Sequence, residues 1–180
     1  MLSNELHLPV TDKLVKSVIV EFERAQELIN DLNDLDYRRS ANGTGSVGGH
    51  FRHNLDFVNR FLNGIETGKI DYNQRERDIR VEEEREYAME RMANLIGRLS
   101  IVLPRLSNNI LVRSEVDEDL WLPSTVAREL EFLYSHTVHH HAMIAEKLAG
   151  RGILVMENFG VAVSTVKFWD GMNARKAASY

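Results

Sequence analysis

The sequence predicts an all-α protein: a four-helix bundle with a long crossover connection and a short hairpin between its third and fourth helices. Three observations carry that reading. Four stretches repeat apolar residues at three-four spacing, glycine or proline follows each of them, and period-two alternation is confined to one short run. The 180 residues suffice for one substantial core and fall short of two, so residues 1–180 are expected to form a single domain.

The first helix is read from Lys13, with Thr11 as its N-cap. Leu14, Val15, Val18, Ile19, Phe22, Ala25, Leu28, Ile29 and Leu32 form its apolar side, and it is expected to end near Tyr37, before the loop RRSANGTGS. Ser46 is placed to cap a second helix carrying Val47, Phe51, Asn54, Leu55, Val58, Phe61, Leu62 and Ile65, which frays at Gly64 and Gly68. A polar connection, GKIDYNQRERD, leads to a third helix over about residues 78–103, with Ala88, Met92, Leu95, Ile96 and Leu99 inward and Pro104 as its stop. In RLSNNILVRSEVDEDLWLPS the run ILVRSEV alternates like a strand but is short, which suits a hairpin within a long connection. The fourth helix follows Pro123 and Ser124, buries Val126, Leu130, Leu133, Thr137, Ile144 and Leu148, and closes at Gly150 and Gly152. The tail from Ile153 has no sustained period and is expected to pack across the bundle.

Composition narrows the function classes. A net charge of -5 with 27% charged residues argues against a duplex nucleic-acid surface, which needs many phosphate contacts. The N-terminus MLSNELHLPVTDK lacks the flank and apolar run of a secretory signal, and no run of about 18 uncharged apolar residues occurs, so a cytoplasmic protein with no membrane contact is expected. With no cysteine, any metal must be held by His, Asp or Glu, and any thiol chemistry needs an external thiol.

SHTVHHHAM places four of the seven histidines within six positions. At about 100° per residue only His136 and His140 point the same way, the i, i+4 arrangement that presents two imidazoles to one ion. His139 and His141 point elsewhere. A third ligand must come from GGHFRHNLDF, where His50 shares the direction of Val47, Asn54 and Phe57, while His53 lies closer to Arg60, Asp56 and the polar edge. His50, His136 and His140 therefore form the candidate metal triad, three neutral donors with positions left for water or substrate. A hydrogen-bonded interior pair is the alternative for His136 and His140, and His7 is read as a terminal bystander. Zinc, nickel, iron(II), manganese and copper all accept imidazole, with zinc or nickel the expected ion. Glu129 and Asn54 are the nearest supporting groups, and Asn54 is also a candidate substrate contact. In DYNQRERDIR, Arg75, Arg77 and Arg80 could clamp a carboxylate or phosphate, with Arg77 kept as the site candidate. The seven acidic residues on or just beyond that segment argue instead for solvated surface.

GTGSVGGHFRHNLDFVNRFLNG, IDYNQRERD, ARELEFLYSHTVHHHAMIAEKL and FGVAVST together resemble the DinB-like (DinB/YfiT) superfamily of bacterial four-helix-bundle proteins, over nearly the whole chain. Its most specific part is one histidine early in the second helix with an H-x3-H pair in the last. The resemblance implies one long crossover, a divalent metal held at one end of the bundle by His50, His136 and His140, and a homodimer. It also implies activities such as thiol-dependent S-transferase or isomerase, with bacillithiol or mycothiol as co-substrate, or the iron-binding domain of enzymes making sulfur-containing histidine betaines. The expected function is thus a metal-dependent enzyme that activates a low-molecular-weight thiol for transfer to an electrophilic small molecule. A metal-dependent hydrolase and a non-catalytic stress-related binding or dimerisation module are the alternatives.

Overall fold

A computed structural model describes residues 10–40, 45–100, 102 and 108–177. His7, Pro104 and the loop residues 41–44 lie outside them. The described chain is mostly helical, running α1 (Val10–Asp31), α2 (Asp34–Arg38), α3 (Val47–Thr67), β1 (Lys69–Ile70), α4 (Ile79–Glu83), α5 (Arg85–Leu99), β2 (Asn109–Arg113), β3 (Trp121–Thr125), α6 (Val126–Ala149) and α7 (Val163–Ala177).

The first helix is shorter than its apolar pattern suggests. It stops at Asp31, and Asn33 starts α2 by accepting a hydrogen bond from the backbone N–H of Asp36 at 2.9 Å. Thr11 lies inside α1 rather than at its cap. The break turns Tyr37 into the core, where its hydroxyl donates to the Val81 carbonyl at 2.5 Å. The third expected helix is likewise two: Glu84 has an extended backbone (φ -121°, ψ 104°) and joins α4 to α5. That joint lets Val81 meet Tyr37 while Ala88, Met92, Leu95 and Leu99 face inward on α5.

Ser46 caps α3 as its position suggests, accepting from the Gly49 N–H at 2.9 Å, and Gly68 closes it with φ 75°. Gly48 is required by packing, since a Cβ there would sit 2.6 Å from the Tyr37 ring and against the Glu82 carbonyl. The expected hairpin is present: β2 and β3 pair antiparallel with Val112 opposite Leu122. β1 adds a parallel third strand at Lys69↔Leu111 and Ile70↔Val112, which two residues are too few to announce by period. Thr125 caps α6, accepting from the Arg128 N–H at 3.2 Å.

The core lies where α1 packs on α5 and α6 while α3 packs on the same two helices. Phe22, Phe51, Phe61, Met92, Leu95, Leu130, Leu133 and Ile144 are all fully buried there, each contributing about 1.5–3 kcal/mol. Among the described residues no helix is long and apolar enough to cross a membrane.

The tail does cross the helices first. Phe159 stacks on His141 of α6 with ring centroids 4.4 Å apart, and Gly160 (φ 73°) brings the backbone against Ala142. α7 then departs from the aperiodic expectation by forming a helix, and it leaves Phe168, Trp169 and Met172 exposed. A Cβ on Gly160 would lie 2.6 Å from the Ala142 Cα in a backbone region that L-residues avoid. Gly160→Ala is expected to cost about 2–4 kcal/mol, read as a lower urea midpoint at unchanged slope. An unchanged midpoint would show that the 157–161 turn does not hold the tail.

Candidate metal centre

α3 and α6 pack side by side, so the histidines of one face those of the other. His50 and His53 are three residues apart on α3, and His136 and His140 are four apart on α6, spacings that keep each pair on one side of its helix. Ring centroids lie 4.6 Å apart for His136–His140, 4.6 Å for His53–His140, 5.0 Å for His53–His136 and 5.2 Å for His50–His140.

The sequence pair His136 and His140 is brought together as expected, but the third member of the tight group differs. His53, His136 and His140 each offer a nitrogen such that all three lie within 4.8 Å of one another. His50 is not in that group. Its Nδ1 instead lies 2.9 Å from Nδ1 of His140, a hydrogen bond between the two rings that leaves Nε2 of His140 for another partner. Helical direction alone places His53 at the polar edge, because it diverges from the core residues of α3. That edge is the seam with α6, where the ring is half-buried against Phe57 at 4.8 Å.

The electrostatics suit metal donors. Burial, then His136 and the Arg75 and Arg52 guanidinium groups, push His53 down to about 4, while burial and the neighbouring imidazoles push His140 to about 3. His136 falls to about 4 from burial, with His139 and Arg75 adding to it. His50 shifts down too, chiefly by desolvation. All four rings are therefore neutral at pH 7, with lone pairs available. His136 Nε2 is buried without a hydrogen-bond partner, an uncompensated acceptor or donor that an ion would satisfy. The residues thus fit a divalent ion.

The remaining histidines separate. His139 is exposed. His141 is fully buried, and its Nδ1 lies 2.9 Å from the Glu21 carboxylate of α1, a tie between the two helices.

Of the other candidates, Asn54 is buried with neither amide atom hydrogen-bonded among the described residues. Arg77 is exposed, adopts φ 55°, and donates its backbone N–H to Asp56 at 3.3 Å. Arg75 is the arginine of that segment that reaches the site. Its guanidinium lies 5.0 Å from the Phe57 centroid, and Phe57 is 4.3 Å from His136. The signal for His53 and Arg75 was in the sequence only as spacing: an i, i+3 histidine pair opposite an i, i+4 pair, with Phe57 four residues beyond His53.

Glu129 does not touch the histidines. Its carboxylate accepts from Tyr72 at 3.1 Å and Ser124 at 2.6 Å on the wall of a cavity of about 470 Å³ between the hairpin and α6. That cavity shares a wall with the centre, since Phe132 lines it and stands 5.5 Å from the His136 ring. Comparison with protein-family models and with curated proteins finds no match for the chain.

Proposed function

We propose that His53, His136 and His140 hold a divalent metal ion and that the protein is an enzyme activating a small thiol for transfer to an electrophilic small molecule. The observation that carries the reading is the group of three neutral imidazole nitrogens within 4.8 Å, contributed by two helices. Zinc or nickel is the expected ion, since both take imidazole without needing carboxylate ligands. When bound, such an ion lowers the pKa of a thiol or water in its open position. The chain supplies no cysteine, so the thiol enters from outside.

The protein's own residues supply position and surroundings. α3 and α6 fix the rings, His50 holds His140, and the Phe57 and Phe132 rings shield His136 from water. The 470 Å³ cavity beyond Phe132 gives a substrate body room beside the centre. The proposed architecture is a four-helix bundle of α1, α3, α5 and α6 of the DinB-like kind, with the residues between α5 and α6 as its long connection. A homodimer belongs to the same proposal, supported by the exposed Phe168, Trp169 and Met172 on α7.

Metal analysis of protein purified without chelator tests the reading. About one divalent ion per chain is expected, lost in His136→Ala plus His140→Ala. Wild-type protein that takes up no zinc or nickel on direct titration would overturn it. The thiol arm is tested by screening zinc- and nickel-loaded protein for transfer of several low-molecular-weight thiols to an electrophilic acceptor. Hydrolysis of the acceptor without thiol would favour a hydrolase instead.

A further inference from the structure

We propose that Arg75 is an anion-binding residue of the histidine centre, so that the substrate taken there carries an oxyanion, a carboxylate or phosphate group, beside its reacting atom. The proposal rests on the metal-centre reading and names the substrate class for it.

Position is the first argument. Arg75 lies in the connection between β1 and α4, and its guanidinium stands over the Phe57 ring at 5.0 Å. The same ring is 4.3 Å from His136 and 4.8 Å from His53. One aromatic ring therefore adjoins both the cation and two of the three imidazoles.

Arg75 is also uncommitted. Among the described residues it makes no ion pair or hydrogen bond, although acidic residues surround it in sequence. Each of those nearest the site is engaged elsewhere. Asp56 lies 3.7 Å from Arg52 and accepts the Arg77 N–H, and Arg75 reaches it only as a more distant charge. Glu76 accepts from Asn59 at 3.1 Å, and Glu82 lies 3.3 Å from Arg52. By contrast Arg80, in the same segment, is held by Glu84 at 3.2 Å and lies over Tyr87, the arrangement of a surface arginine.

Charge completes the argument. Three neutral imidazoles bring no negative charge to a divalent ion, and a guanidinium beside it adds more positive charge. An anionic ligand is what that sum attracts. A guanidinium laid on an aromatic face keeps its planar fork oriented, ready for two parallel hydrogen bonds to a carboxylate or phosphate. The bland alternative is that Arg75 merely covers Phe57 with its stem.

The test compares wild type, Arg75→Gln and Arg75→Lys, each loaded with cobalt(II) and titrated with benzoate, phenyl phosphate and neutral benzamide. Cobalt absorption reports changes at the ion, and calorimetry on metal-free protein reports anion binding independently of it. At least one anion is expected to bind wild type and shift the cobalt spectrum, about 10- to 100-fold more weakly in Arg75→Gln and by an intermediate factor in Arg75→Lys. Benzamide should do neither. The tighter anion identifies carboxylate or phosphate as the group. Chelator competition should give Arg75→Gln an affinity for cobalt equal to or above wild type, since a repelling charge is gone. Anion binding equal within twofold in wild type and Arg75→Gln, or benzamide binding as well as the anions, would overturn the proposal. Absence of cobalt uptake in every protein would instead overturn the metal reading, with the calorimetric comparison still deciding Arg75.

Discussion

His53→Ala is expected to abolish stoichiometric metal binding, whereas His50→Ala should retain the ion with an affinity about 10- to 100-fold lower. The difference follows from where the two rings stand. His53 contributes a nitrogen to the group of three that lie within 4.8 Å, while His50 meets the group only through the Nδ1 of His140 at 2.9 Å. With Nδ1 of His140 taken by that hydrogen bond, its Nε2 is the nitrogen left for an ion, and the proton then sits on Nδ1. His50 accepts it and so fixes both the tautomer and the tilt of the ring. His50→Asn, whose side-chain oxygen falls near the former Nδ1, is expected to recover much of the lost affinity, a rescue that a purely space-filling role would not give. Chelator competition on the four proteins reads all of this. If His50→Ala loses the ion and His53→Ala keeps it, His50 is the third ligand, as its direction along the second helix suggested.

That reversal of roles marks the limit of reading the site from helical direction alone. The apolar spacing located α3 and α6 to within a few residues, and the 100° rotation isolated His136 and His140 from a run of four histidines. Both results depend on one helix at a time. Which ring joins His136 and His140 depends on how two helices sit against each other, and an edge residue such as His53 becomes half-buried once α6 covers that edge. The same physics hid Arg75. Its segment reads as solvated surface because acids flank it, and only tertiary structure assigns those acids to Arg52, Asn59 and Arg80 and leaves Arg75 over Phe57. Helix breaks at Leu32–Asn33 and Glu84 leave no mark in the sequence for a related reason: the apolar period continues across both, and burial of Tyr37 and Val81 decides where the backbone turns.

Acidification is expected to destabilise the metal-free protein progressively as pH falls below about 6.5. His53, His136 and His140 fall to about 4, 4 and 3 in the folded chain against about 6.5 when unfolded. Below pH 6.5 the unfolded chain therefore binds protons that the folded chain refuses. Stability is fully present above 6.5 and drains away as pH falls toward the folded values. Each ring can contribute a slope of at most about 1.4 kcal/mol per pH unit. Water at these half-buried rings reduces it, so the observed slope should fall well short of the sum of three. His50 and buried His141 shift in the same sense, His141 by desolvation that Glu21 opposes. Asp56 works the other way, because burial raises its carboxyl above the ordinary 3.8, so the folded chain takes up that proton first as pH falls and one group offsets part of the loss. The histidines dominate the window. Urea midpoints at pH 7.5, 6.5, 5.5 and 5.0 should decline, and replacing His53, His136 and His140 together by Gln should flatten the decline. Zinc should raise the midpoint at pH 7.5 and lose that effect by pH 5, because protons then compete for the same nitrogens. A flat profile in the metal-free protein would mean that water reaches the four rings freely, and the partly buried, neutral donor set on which the metal reading stands would fall with it.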